Sequence, residues 1–131
     1  MKVFEPIPPE TERAARVTVD AAVKVHKVLG PGLVESVYEA CLAHELRCRG
    51  VTAETQVAFP VVYETIRLDT GLRLDLLVEK RLVVELKAVE KMNPLYEAQL
   101  LTYLKITGCR LGLLINFNVA LIKDGIRRMV L

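Results

Sequence analysis

The stretch DLLVEKRLVVELK, Asp75 to Lys87, sets an Asp, a Glu and a Lys among leucines and valines that would otherwise make an ordinary buried hairpin. If Glu79-Lys80-Arg81 is a three-residue turn, Val78 pairs with Leu82 and Asp75 falls directly opposite Glu85. Strand alternation then points Glu85 and Lys87 to one face, so all three groups converge. A two-residue turn would shift the register by one and scatter them. Like charges across a ladder repel, more so where they are partly desolvated, and something positive must sit between them. Lys87 supplies one charge. A divalent cation would supply more, with Asp75 and Glu85 as hard oxygen ligands at about 2.0 to 2.1 Å for Mg²⁺. The other reading is a buried polar network that only orders the core, with Lys87 paired to Asp75 or Glu85.

Two further polar groups stand out on helices. Between about Leu33 and Arg49 a helix is expected with Val34, Tyr38, Cys41, Leu42 and Leu46 inward. Glu35 lines up with Leu42 and Leu46 on that apolar flank, whereas Glu39 and Arg47 turn toward water. Gln99 projects between Leu95, Tyr103 and Ile106 on a later helix, Pro94 to about Thr107, which has Pro in its first turn and Gly108 at its end. Both Glu35 and Gln99 are expected to face the strand cluster. In the core-ordering reading, Gln99 bonds to backbone instead.

The elements that must position these groups follow from periodicity. Residues 1–9, with three prolines, read as an extended lead-in to a domain over residues 10–131. A first helix, about Glu10 to Leu29, repeats Ala14, Val17, Ala21, Val25 and Val28 at helical spacing and stops at Gly30-Pro31-Gly32. Its Arg13, Arg16, Lys24 and Lys27 read as a solvated face, with a phosphate-tracking stripe as the alternative. After Gly50 come strands at about Thr55 to Glu64, Ile66 to Asp69, Leu72 to Val78 and Leu82 to Val89, with Asp69-Thr70-Gly71 as a break. LGLLINF, Leu111 to Phe117, and a short strand near Ile126 to Val130 follow the third helix. The order predicts an α/β fold with a mixed central sheet flanked by helices.

Composition sets bounds without choosing a function. With 52% apolar and 26% charged residues, the 131-residue chain is of compact, globular type rather than disordered or coiled-coil. MKVFEPIPPETER does not resemble a signal peptide and no apolar run reaches the length of a membrane span, so the expectation is a cytoplasmic protein. The three cysteines, Cys41, Cys48 and Cys109, include no Cys-x-x-Cys pair; they suggest neither a disulfide framework nor a zinc site and read as small core residues. A net charge of +2 is too small to predict nucleic-acid binding by itself.

Asp75, a hairpin, then Glu85-Leu86-Lys87 resembles the active-site signature of the PD-(D/E)XK nuclease superfamily. GLVESVY, Gly32 to Tyr38, resembles the Gly-x-x-Glu-x-x-Tyr motif of its GxxExxY family; QLLTYLK, Gln99 to Lys105, and GLLINF, Gly112 to Phe117, are similar to later blocks of that family. The resemblance covers about residues 15–131. It implies a restriction-endonuclease-like core of α-β-β-β-α-β type. It further implies Asp75, Glu85 and the Leu86 carbonyl as ligands for Mg²⁺ or Mn²⁺, Glu35 as an aid to that ion or to a second one, Lys87 as the catalytic lysine, and Gln99 as the holder of the nucleophile or a phosphate. Tyr96 stands where some relatives have His, and Leu74 where many have Pro before the Asp. The activity implied is hydrolysis of phosphodiester bonds in nucleic acid, DNA favoured, with a homodimer or partner protein to help grip a duplex. LGLLINF and the terminal MVL are candidates for that contact, with the core as the other destination for both. A non-catalytic binding module on the same fold is the alternative.

Overall fold

The computed structural model describes residues 5–131. The element order is α1 (Pro9–Leu29), α2 (Glu35–Cys48), β1 (Ala53–Tyr63), β2 (Ile66–Val78), β3 (Leu82–Lys87), α3 (Pro94–Thr107), β4 (Leu111–Asn116), a 3₁₀ turn (Ile122–Gly125) and β5 (Ile126–Val130). The five strands lie in chain order in one sheet. All neighbours are antiparallel except β3 and β4, which α3 joins as a parallel crossover. This is the expected mixed α/β sheet. Residues 1–4 of the expected lead-in lie outside the described residues, and α1 begins within its last residue, at Pro9.

The sheet separates two cores. On one side Ala21, Ala22 and Val25 of α1 and Tyr38, Leu42 and Leu46 of α2 pack against Leu76, Val78, Leu82, Val84, Leu86 and Ile115. On the other, Leu100 and Leu104 of α3 cover Leu72, Leu74, Val83 and Leu114. Close approach of α3 depends on Gly112, where an added Cβ would come within 2.9 Å of a Leu100 methyl. LGLLINF is therefore core throughout, whereas Val130 and Leu131 of the terminal MVL are exposed.

Several expectations are corrected. Ile66 to Asp69 and Leu72 to Val78 are not two strands. They form one, β2, because Asp69-Thr70-Gly71 bulges opposite the single Pro60: Phe59 pairs with Leu72 and Val61 with Leu68. Pro60 has no N–H to give the ladder, and the extra residues absorb the mismatch. β3 ends at Lys87 rather than Val89, since Val89 is bound by the Asn116 side chain instead of a strand. Val28 and Val34 are 73% and 66% exposed rather than inward, lying at the end of α1 and just before α2, beyond the reach of the sheet. Cys48 is exposed at the last turn of α2, while Cys41 and Cys109 are half-buried. The basic residues of α1 face solvent, with Lys24 paired to Glu45 at 2.9 Å. Among the described residues, no helix is long and apolar enough to cross a membrane.

Candidate active site

The turn Glu79-Lys80-Arg81 has three residues, with Glu79 and Lys80 in the left-handed region and the Arg81 amide donating to the Val78 carbonyl at 3.0 Å. It sets the expected register, Val78 to Leu82, Leu77 to Val83 and Leu76 to Val84. Regular pairing stops there. Leu86 donates its amide to Asp75 Oδ2 at 2.9 Å, and Asp75 donates its own amide to Glu85 Oε1 at 3.1 Å. Side chains thus close the gap where β2 and β3 diverge, and the two carboxylates are brought together. In a strand, the N–H and C=O of one residue point to the same side. The Leu86 amide faces β2, so its carbonyl lies on that side too; the Lys87 carbonyl faces β4, where the Phe117 amide donates to it at 2.9 Å.

β2 turns over at this point. Leu76 and Val78 belong to the core under α1 and α2, but Leu74 and Leu72 belong to the core under α3. Residues two apart would share a face in a regular strand. The change is accommodated opposite Asp75, where Gln56 drops out of the β1–β2 register and adopts φ 52°. A non-glycine residue in that region is uncommon, and such residues concentrate at functional sites. Gln56 also donates to Glu39 Oε1 at 2.6 Å, tying β1 to α2 beside the carboxylates.

The electrostatics follow from burial. Glu85 is 6% exposed, and desolvation together with the Asp75 charge pushes its carboxyl up to about 8, against the opposing effects of the Asp75 amide and Lys87. Glu35, half-buried at the start of α2, is also raised, first by desolvation and then by Asp75, with Lys87 lowering it. Glu39 is raised by the same two influences, offset by its bond from Gln56. Glu39 was expected to face water; it is half-buried and accepts the Gln56 amide. Tyr103 of α3 is raised by desolvation and by Glu85 and Asp75.

Lys87 does not form the carboxylate pair of the core-ordering reading: its Nζ lies 4.4 Å from the centroid of the Tyr96 ring, and no ion pair is made to it among the described residues. Gln99 is corrected more strongly. It is exposed, and Leu95 beside it is 67% exposed, because α3 rests on Leu100 and Leu104. Gln99 lies 100° round the helix from Leu100, flanked at i−3 and i+4 by Tyr96 and Tyr103. It is exposed between these two tyrosines, without a backbone bond among the described residues.

Supporting residues explain why the frame is fixed. Tyr38 is fully buried, stacks on Phe117 at 4.5 Å, donates to the Gly30 carbonyl at 2.7 Å and accepts from the Leu33 amide at 3.1 Å. It thereby anchors the loop that delivers Glu35, a loop in which Gly32 takes φ 100°. Asn116, 2% exposed and level with Lys87, accepts from the Val89 and Asn118 amides at 3.1 Å and donates to the Val89 carbonyl at 2.9 Å. It clamps the segment between Lys87 and α3. Asn116→Ala is expected to cost about 2 to 4 kcal/mol in urea unfolding, since it leaves buried backbone groups unpaired. Sequence reading missed Glu39, Gln56, Tyr103 and Asn116; the only signal was an Asn inside the apolar run LGLLINF.

Among the described residues, no three His, Cys, Asp or Glu groups converge as a complete metal cluster. The donor chemistry nonetheless fits a hard cation: two adjacent carboxylates, one of them buried and pushed up to about 8 by desolvation and by the charge of the other. Glu85 is buried and Asp75, Lys87 and Glu35 are half-buried, and a cleft of about 410 Å³ lies elsewhere, between α1 and the turns after α2 and β2.

Comparison with known proteins agrees with this frame. The model of the PD-(D/E)XK nuclease superfamily matches residues 12–129, which takes in both helical layers, the sheet but for the last residue of β5, and every site residue named above. Searches of curated proteins and of solved structures gave no match. Nucleases of this superfamily generally use divalent metal ions. With its mixed five-stranded sheet, its hairpin Asp75 and its Glu85-Leu86-Lys87 strand, the chain belongs to the PD-(D/E)XK nuclease superfamily.

Proposed function

We propose that this protein is a Mg²⁺- or Mn²⁺-dependent nuclease of the GxxExxY family that hydrolyses phosphodiester bonds in nucleic acid, DNA in preference to RNA. The observation that carries the reading is the Asp75–Glu85 pair, two carboxylates locked together by backbone amides where β2 and β3 part. A network serving only the core would neutralise that pair with Lys87, and Lys87 is instead held apart on Tyr96.

Asp75, Glu85 and the Leu86 carbonyl would hold the cation, with Glu35 as an outer carboxylate. When bound, the ion supplies Lewis-acid polarisation of the phosphate and a more acidic water. Lys87 places a positive charge beside the scissile phosphate, where negative charge grows in the transition state. Gln99, exposed on α3, holds the attacking water or a phosphate oxygen by its amide. Glu35, whose carboxyl is raised by burial and by Asp75, accepts a hydrogen bond from water at the same edge. The basic residues are scattered without aromatic interleaving, so recognition runs through the phosphate backbone, with a second copy or a partner protein to add grip.

The test is incubation of the purified chain with linear, nicked, branched and single-stranded DNA and with RNA, in Mn²⁺ and in chelator. Metal-dependent cleavage that disappears in Asp75→Asn supports the reading. Cation binding without cleavage of any of these would favour a binding module.

A further inference from the structure

The ammonium of Lys87 has an aromatic rather than an acidic neighbour. Its Nζ lies 4.4 Å from the Tyr96 ring centroid, within the range of a cation–π contact. Both ends of this contact are fixed. Tyr96 belongs to the first turn of α3, where Pro94 opens the helix, the Asn93 side chain accepts from the Leu95 amide at 2.9 Å, and the Tyr96 amide donates to the Asn93 carbonyl at 2.9 Å. Its ring packs against the core of Leu72, Leu74, Leu100 and Leu104. On the other side, the Lys87 backbone pairs with Asn116 and accepts from the Phe117 amide.

A lysine side chain has four rotatable bonds, and an unrestrained one would spread its charge over a wide arc. A carboxylate partner would restrain it but would also neutralise it. The face of an aromatic ring restrains it and leaves the charge available. We propose that Tyr96 is a positioning residue that holds the Lys87 ammonium beside the Asp75–Glu85 pair without quenching it; the kinetic consequence rests on the hydrolytic reading above, the positioning itself does not.

Two measurements test this. In NMR spectra of the native chain, the Lys87 ε-methylene protons, assigned by their loss in Lys87→Ala, should lie upfield of the exposed lysines through the Tyr96 ring current. They should stay there in Tyr96→Phe, which keeps the ring, and return to the ordinary position in Tyr96→Leu. An ordinary position in the native chain, or no movement in Tyr96→Leu, overturns the proposal even if the protein cleaves nothing. In cleavage assays with Mn²⁺, Tyr96→Phe should stay within about twofold of native, and Tyr96→Leu should lose about tenfold in kcat at nearly unchanged KM. In a Lys87→Ala background, Tyr96→Leu should add no further loss. An equal loss in that background would mean a merely structural role and would contradict the proposal. Absence of cleavage in the native chain counts against the hydrolytic reading and leaves the NMR result to decide the position of Lys87.

Discussion

Glu85→Gln, unfolded in chelator at pH 9, is expected to melt about 5 to 10 °C above the native chain. Burial and the Asp75 charge raise Glu85 from 4.5 to about 8, so between those values the folded protein keeps a proton that the unfolded chain has lost. Stability from this group is full below about 4.5 and declines as pH rises through about 8, on the order of a few kcal/mol in all. Gln removes the ionisation while keeping an oxygen to accept from the Asp75 amide. The difference in Tm should therefore be small at pH 5 and grow toward pH 9. On the proposed function, Mn²⁺ or Mg²⁺ would bind the deprotonated pair, so it should raise the native Tm increasingly with pH and leave the variant unmoved. Parallel melting curves across that range, with and without cation, would remove the physical basis of the site.

The second large effect is on rate. Lys87→Ala should lower Mn²⁺-dependent cleavage by about two to three orders of magnitude, as expected for a preorganised charge aimed at the transition state. It should also tighten cation binding by about 3- to 10-fold, because a positive charge has left the neighbourhood of Asp75 and Glu85. The opposite signs matter: simple disruption of the site would weaken both. Calorimetric titration with Mn²⁺ beside single-turnover cleavage separates the two.

The centre of this site was legible because hairpin register is rigid. The three-residue turn Glu79-Lys80-Arg81 sets the expected pairs from Val78–Leu82 to Leu76–Val84 and so brings Asp75 next to Glu85, although the ladder ends one pair short and bonds from the Asp75 and Leu86 amides to the two carboxylates complete the approach. Helical positions were less legible. In QLLTYLKI the exposed Gln99, Thr102 and Lys105 recur along one polar arc, and the buried Leu100 and Leu104 lie across the helix from it; the expectation grouped Gln99 with Leu95, Tyr103 and Ile106, whereas α3 rests on Leu100 and Leu104, where Gly112 admits Leu100. Glu39 and Gln56 meet only because β1 departs from regular geometry opposite Asp75, and no local pattern announces a positive φ at a Gln. The polar trio Asp69-Thr70-Gly71 has turn composition, yet it becomes a bulge because its partner across the ladder is Pro60. Gly71 fits there since a side chain would overlap Val61.

These corrections bear on chemistry. Gln99 is exposed, so it does not complete a buried network. Tyr96 gives Lys87 a face to rest on and so a defined place.

The central claim is that Asp75, Glu85 and Lys87 form one cation-dependent hydrolytic centre. It is tested most directly by single-turnover cleavage of linear duplex DNA in Mn²⁺ by the native chain, Asp75→Asn and Lys87→Ala, purified in parallel. The account predicts cleavage by the native chain that vanishes in chelator and falls at least about 100-fold in each variant. Cleavage that persists undiminished in both variants would contradict it.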